Sequence, residues 1–422
     1  MKKISILLLL SGLVFGCASL KKRVHKSIDK SLDSSFFNNQ FTGFLVVDPI
    51  SRDTLYDYNS DKYFTPASNT KIFTLYTALK TLPKKAPALN YIHHNDTLYF
   101  EGTGDPSFLH HYLKDSTAYT FLKNSDNLAF CYPNFQDTPM GPGWSWDDLS
   151  WYYSPERSAF PIFGNTVMIH DTPTYSVSPN YFTDSVVQIQ NAWNREKNRN
   201  VFYFDKTARD SLEIPFKTDK KTVGSILEES LVKPINIVLK MPEGEKKTLY
   251  GIDMDSLYVR LMHESDNFIA EQLLIMASGI LTDTLNSENA RNYILENNLK
   301  GIPQEPRWVD GSGLSRYNLF TPQSMVYVLN QLYRELPEER LLMIFPTGGV
   351  SGTLKSWYSG NQEPYIFAKS GSLSNNYCLS GYLRTKKGKL LLFSFMNNHF
   401  RHSSSEVKEQ MQAIFETLRD RY

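Results

Sequence analysis

Three short polar motifs in a fixed chain order constrain this sequence more than any other feature: Ser68-Asn69-Thr70-Lys71, Ser265-Asp266-Asn267 and Lys369-Ser370-Gly371. Each is common alone. Ser-x-x-Lys also occurs at Ser19, Ser27, Ser230 and Ser405, and Ser-x-Asn at Ser125, Ser178, Ser287, Ser359 and Ser374. Local context has to choose among the copies, because a motif carries chemistry only on the right element.

The first motif is selected by its surroundings. Residues Phe41 to Val47 and Thr54 to Tyr58 are β-rich runs joined by a Pro/Ser/Arg/Asp turn, which predicts a hairpin. After Thr65-Pro66-Ala67 comes Ser68, then Ile72, Leu75, Tyr76, Leu79 and Leu82 at helical spacing. Ser68 is therefore expected at the N-terminus of a buried helix, with Lys71 one turn later on the same face. The positive end of a helix favours an alkoxide and a neutral amine, and burial lowers a lysine pKa further. Lys71 can then take the Ser68 proton as general base, which makes Ser68 a nucleophile for acyl transfer. A serine that only caps a helix beside a surface lysine is the plain alternative for this box in isolation. Ser19 and Ser27 lie by the N-terminal apolar segment, Ser230 runs into Pro234, and Ser405 follows all the other boxes. None of them can lead the series.

Two copies compete for the second position. Ser125-Asp126-Asn127 is followed by Leu-Ala-Phe-Cys-Tyr-Pro, a strand stopped at Pro133. Ser265-Asp266-Asn267 lies between Leu257–Met262 and Phe268–Leu274, both helical in pattern, so it sits on a helix–helix connection that can face a cleft. It is also much nearer Lys369 in the chain, and Ser265 is chosen. Its hydroxyl can pass a proton toward a leaving amine, and the Asn267 amide can hold Lys71 and a substrate carbonyl.

The third motif reads as part of a strand, Ile366 to Leu373. Further strands are expected over Cys378 to Arg384 and Leu390 to Met396, the last two joined by a tight Lys386-Lys387-Gly388-Lys389 turn. Lys369 and Ser370 are expected to project into the cleft and bind a terminal carboxylate, with Gly371 letting a substrate backbone approach. The backbone N–H groups of Ser372 and Ser68 can pair as an oxyanion hole.

Longer strings sharpen the picture. With Phe64-Thr-Pro-Ala-Ser-Asn-Thr-Lys71, His263-Glu-Ser-Asp-Asn267, Gly102-Thr-Gly-Asp-Pro106, Trp144-Ser-Trp-Asp-Asp-Leu149, Asp310-Gly-Ser-Gly-Leu-Ser-Arg316 and Gly352-Thr-Leu354, the sequence resembles the D-alanyl-D-alanine carboxypeptidase/endopeptidase family. These are the class C low-molecular-mass penicillin-binding proteins, and the resemblance runs from about Gly43 to Asn397. It implies an α/β (α+β) fold with a penicillin-recognising serine transpeptidase/β-lactamase-like core, an antiparallel sheet flanked by helices plus a helical subdomain. It also implies a serine acyl-enzyme that removes the terminal D-Ala of peptidoglycan stem peptides and often cuts cross-links, with β-lactam antibiotics as inhibitors and no cofactor. By this carry-over Ser68 is the nucleophile, Lys71 the base, and Ser265 and Asn267 the proton shuttle and orienter. Lys369, Ser370 and the Ser372 amide hold the carboxylate and the oxyanion. The third box has Ser where Thr is commoner in the family, which keeps the hydroxyl. A β-lactamase is the second reading, ranked lower because no box supplies a deacylating Glu. A non-catalytic peptidoglycan-binding protein of the same fold is the third, disfavoured because every catalytic position holds a competent residue.

The 422 residues and 41% hydrophobic content supply more than one compact core needs. The stretch from Ser68 to Ser265 is too long for the few helices such a core requires there, and it is rich in Pro, Tyr, Trp and Asn. β-like runs occur at Asn165 to His170 and Ser185 to Gln190. An inserted, mainly β domain is expected over 88–247, with the catalytic domain split into 24–87 and 248–422. Val407, Met411, Ile414, Phe415 and Leu418 predict a C-terminal amphipathic helix packed on the sheet.

Formal net charge is +1 with charges dispersed, which argues against a nucleic-acid partner. His93-His94 and His110-His111 are adjacent pairs that lack the i, i+4 spacing of helical metal ligands, so no metal is expected. Met1-Lys2-Lys3 and the apolar run Ile4 to Phe15 have the form of a signal peptide over 1–17. Val14-Phe15-Gly16-Cys17 resembles a lipobox with Cys17 as the lipidated mature N-terminus. Cleavage beyond it without lipid is the alternative. A periplasmic protein whose sole membrane attachment is a lipid anchor is expected, with Cys131 and Cys378 as buried thiols rather than a disulfide.

Overall fold

A computed structural model describes residues 22–360 and 363–422 of the chain. The expected signal segment and Cys17 lie outside the described residues. Among those described, no helix is long and apolar enough to cross a membrane.

The Phe41–Val47 and Thr54–Tyr58 hairpin forms as the sequence predicts, and it supplies two strands of a five-stranded antiparallel sheet. The strand order is Ile366–Leu373, Asn376–Arg384, Leu390–Asn398, Phe41–Val47, Thr54–Tyr58, so the chain's two ends meet in the middle. Alternation along Leu390–Asn398 shows how the sheet is sealed. Leu391, Phe393 and Phe395 face one apolar cluster, whereas Leu390, Leu392 and Met396 face another. The first cluster is closed by helix Ser404–Arg421, whose Val407, Met411, Ile414, Phe415 and Leu418 are all buried. Phe415 packs on Phe44, Phe393 and Phe395. The second cluster is closed by helices Lys71–Thr81, Met254–His263, Asn267–Thr282 and Pro322–Glu335. Cys131 and Cys378 are both buried free thiols, and burial pushes the Cys378 thiol up to about 12.

The middle of the chain builds a second five-stranded sheet with its own apolar core. Its order is Ile235–Val238, Asn127–Cys131, Thr97–Gly102, Lys85–His94, Lys247–Asp253. Two of these pairings are parallel, and parallel neighbours need crossovers. Helices Thr117–Lys123 and Lys220–Leu231 lie in the connections, before Asn127–Cys131 and Ile235–Val238 respectively. Both ends of the 88–247 segment fall inside strands of this sheet, which extends to Lys85 and Asp253. Strand Thr166–His170 forms as expected, but the run Ser185 to Gln190 contributes only Val186–Val187, paired in parallel with Phe202–Tyr203. The reason is burial: Val187 to Gln190 are exposed, so no apolar face extends the ladder.

Candidate active site

Ser68 stands in a 3-10 turn, Ala67–Thr70, that runs directly into helix Lys71–Thr81. The turn is held at a left-handed residue, Ala67 (φ 49°), a conformation that costs a non-glycine residue on the order of 1–2 kcal/mol and persists only where neighbours enforce it. Two neighbours do so. The buried Asn69 amide donates to the carbonyls of Lys369 (2.9 Å) and Cys378 (3.3 Å), tying the turn to the sheet. Gly313 (φ 82°) presses on its other side, where a Cβ would sit 1.9 Å from the Ala67 carbonyl oxygen. Gly371 has a related role. A Cβ there would lie 2.5 Å from the Pro66 carbonyl oxygen and 2.9 Å from the Ser68 nitrogen. The space it leaves is therefore filled by the turn that carries Ser68 and not held open for a substrate backbone, a correction to the expectation from sequence.

Lys71 is fully buried, and its Nζ donates to Ser68 Oγ (2.9 Å), Asn267 Oδ1 (2.6 Å) and the Ser312 carbonyl (2.7 Å). Burial lowers its pKa to about 8, against the opposing pull of the Asp310, Glu271 and Asp266 carboxylates. The Asn267 amide is fixed in this orientation because its Nδ2 donates to the Tyr153 carbonyl at 2.9 Å. Ser265 occupies the expected helix–helix connection in a left-handed conformation (φ 55°). It lines the same cleft of about 880 Å³ as Ser68, Asn267 and Ser372. The rival Ser125 lies elsewhere, its hydroxyl donating to the Phe121 carbonyl (3.0 Å).

Lys369 departs from expectation. It is wholly buried beneath the cleft instead of projecting into it, and its Nζ donates to the Ser370 carbonyl at 2.6 Å. Burial, and then the Lys71 charge, hold its pKa well below the ordinary lysine value. The physical reason is strand alternation: Ser370 and Ser372 take the cleft face, and Lys369 the covered one. The Ser370 hydroxyl pairs with that of Thr353 at 2.7 Å.

Several residues of the site carry no assignment in the sequence reading. Ser312 offers Lys71 a backbone carbonyl, and its own N–H donates to the buried Glu271 carboxylate at 2.7 Å. Asp310 shapes that loop by accepting from Gly313 N (2.8 Å), Ser315 N (2.6 Å), Asn318 Nδ2 (2.7 Å) and Trp144 Nε1 (2.9 Å). The Asp-led, glycine-punctuated string Asp310–Arg316 was the signal for it, legible as a turn though not as a lysine acceptor.

A buried amine within hydrogen-bond reach of a serine hydroxyl that lines a polar cleft is the arrangement found where a lysine can serve as base for a serine acyl-transfer step. The profile of the D-Ala-D-Ala carboxypeptidase 3 (S13) family matches residues 24–203 and 249–420, and the chain belongs to that family. It is similar to the D-alanyl-D-alanine carboxypeptidase DacB of Haemophilus influenzae, with 23% identity over 90% of each chain. Its fold is that of the crystal structure of penicillin binding protein 4 (dacB) from the same organism, at 20% identity and a TM-score of 0.71, covering 90% of this chain and 96% of that one. A β-lactam complex of penicillin binding protein 4 from Haemophilus influenzae aligns with a TM-score of 0.64 at 19% identity, with the same coverage.

Proposed function

We propose that the chain is a serine-type D-alanyl-D-alanine carboxypeptidase and endopeptidase acting on peptidoglycan stem peptides, acylated at the same serine by β-lactams. The observation that carries the reading is the Lys71 amine with its three acceptors. A neutral amine has two N–H donors and one lone pair. Asn267 Oδ1 and the Ser312 carbonyl can only accept, so they take both donors and leave the lone pair for the Ser68 hydroxyl proton. With a pKa of about 8, a useful fraction of Lys71 is neutral near pH 7.

In the reaction Ser68 Oγ attacks the carbonyl of the penultimate D-Ala while its proton passes to Lys71. The tetrahedral oxyanion is received by the N–H groups of Ser68 and Ser372. On collapse the C–N bond breaks, and the proton on Lys71 reaches the departing amine through the Ser265 hydroxyl, releasing D-Ala. Water, deprotonated toward Lys71, then attacks the ester and restores Ser68. Ser370 binds the substrate beside the nucleophile. Lys369 lies beneath as a second buried amine, its own charge opposed by burial and then by Lys71.

Within the same proposal, residues 24–87 and 248–422 form the catalytic domain and 88–247 the inserted one. The separate apolar core of the second sheet supports this division, with the borders moved outward to its strand ends. Residues 1–17 act as an export signal with a lipid attached at Cys17, which places the enzyme in the bacterial cell envelope, on the periplasmic side.

The test is Ser68→Ala with labelled penicillin and a stem pentapeptide. Labelling and D-Ala release should both disappear, a loss of at least about four decades in rate, while the unfolding temperature is kept. Normal labelling of the variant would remove Ser68 as nucleophile. Rapid β-lactam turnover by the unsubstituted protein without D-Ala release would favour a β-lactamase.

A further inference from the structure

Beside Ser68, a recess of about 230 Å³ is lined by Ser68, Ser265, Thr353, Ser370, Ser372, Tyr377 and Lys408. Lys408 comes from helix Ser404–Arg421, which otherwise serves to close the far face of the sheet. It is half-buried, and its Nζ stands 4.5 Å from the centre of the Trp357 ring and 5.2 Å from that of Tyr377. Among the described residues no carboxylate forms an ion pair with it. The two rings steady a cation by their faces without neutralising it, leaving its charge for a ligand. The other basic group at this end of the cleft, Lys369, is committed: it is sealed beneath the strand and donates to the Ser370 carbonyl. The Ser370 and Thr353 hydroxyls, 2.7 Å apart, supply neutral donors in the same recess.

We propose that Lys408 is the cation that receives the free carboxylate of the substrate, in the recess where Ser370 and Thr353 supply the hydrogen bonds. This rests on the acyl-enzyme reading above. It differs from a lysine in the third box supplying the charge, and it gives the C-terminal helix a part in specificity. The ligand class is an acylated amide whose amine component carries a free carboxylate close to the scissile bond, as in an acyl-D-Ala-D-Ala terminus or a penicillin.

The experiment compares acylation by benzylpenicillin with acylation by its methyl ester, which has no free carboxylate, in Lys408→Gln and Lys408→Arg. Lys408→Gln keeps most of the stem against Trp357 and Tyr377 and drops the charge. It should lose roughly 10- to 100-fold on benzylpenicillin, the range for a lost charge-assisted hydrogen bond. Its rate on the ester should stay within about twofold, which also certifies the fold. Lys408→Arg should recover most of the benzylpenicillin rate. Equal losses on both compounds, or no loss on either, would overturn the inference. In the unsubstituted protein, added salt should slow benzylpenicillin more than the ester, and equal salt dependence would overturn it without any variant. Acylation that follows these expectations without release of D-Ala from a pentapeptide would sink the carboxypeptidase reading and leave the Lys408 site standing.

Discussion

Two seams in this molecule bury a cation among carboxylates and carbonyls, one under Ser68 and one where Arg157 and the loop at Asp137 and Thr138 meet helices Asn267–Thr282 and Ser287–Asn297. At the first, Lys71 has three acceptors and faces Asp310, Glu271 and Asp266. At the second, Arg157 is 1% exposed and donates to the Thr138 carbonyl (3.0 Å), Thr138 Oγ1 (3.0 Å), Asp137 Oδ1 (3.0 Å) and Ser287 Oγ (3.1 Å), with Glu271 Oε2 at 3.5 Å. Glu271 belongs to both seams, because its other oxygen accepts from Ser312 N, whose residue offers Lys71 its carbonyl. The difference is chemical. A guanidinium keeps its charge at any pH the protein meets, and its planar fork fixes geometry. An ammonium buried this way gives up its proton near neutrality. The arginine seam is accordingly a latch, whereas the lysine seam has the chemistry to move a proton in the proposed reaction.

The largest test of that contrast is Arg157→Met. The substitution takes a buried guanidinium away from Asp137 and Glu271, and breaking a buried pair in this way typically costs about 3–5 kcal/mol. That is a large share of a stability of roughly 5–15 kcal/mol. Denaturant unfolding should report it directly. A change under about 1 kcal/mol would mean that the Arg157 segment is held against helix Asn267–Thr282 by the small apolar contact of Ala159, Ile275 and Leu285 instead.

The lysine seam should answer to pH where the arginine seam does not. As the proposed base, Lys71 has to be neutral to accept the Ser68 proton, and its pKa is lowered to about 8. Below that value the competent fraction falls roughly tenfold per pH unit, so acylation at pH 6 should be about a hundredth of its alkaline plateau. Stopped-flow acylation by a chromogenic β-lactam, with unfolding followed in parallel, measures this. A rate independent of pH between 6 and 8 in folded protein would remove Lys71 as the base.

What could be read from sequence, and what could not, follows from how local the determinants are. The Phe41–Tyr58 hairpin, the C-terminal meander, the Ser68 helix and the Ser265 connection were legible because each is specified by periodicity and turn residues within a short window. The burial of Lys369 was not, although alternation along its strand was visible, because nothing local says which face the helices cover. The Ser312 carbonyl was out of reach for another reason. It is a backbone group 241 residues from Lys71, and its side chain bears no trace of that contact. Gly371 looked like an opening for substrate because the Pro66–Asn69 turn that fills the space is brought there only by the tertiary fold. The parallel pairings of the second sheet escaped notice because two short helices supply the crossovers within a stretch that otherwise reads as strands.

The smallest expected effect is where Lys246 bridges Glu101, on the second sheet, and Asp283, at the end of helix Asn267–Thr282, at 3.0 Å each. The geometry looks as favourable as that of Arg157, yet the surroundings differ. The Lys246 side chain is 34% exposed and Asp283 75%, so water screens that pair and offers both partners an alternative. Exposed ion pairs contribute about 0.2–1 kcal/mol. Glu101 is buried and holds the upper part of that range, since it loses its main cation. Lys246→Met should therefore cost about 1 kcal/mol in unfolding free energy and leave acylation unchanged. Combined with Arg157→Met, the two losses should add within about 0.5 kcal/mol, as they do for sites with no shared partner. A loss from Lys246→Met as large as that from Arg157→Met would show that exposure does not separate the two ion-pair sites, and that they belong to one cooperative network.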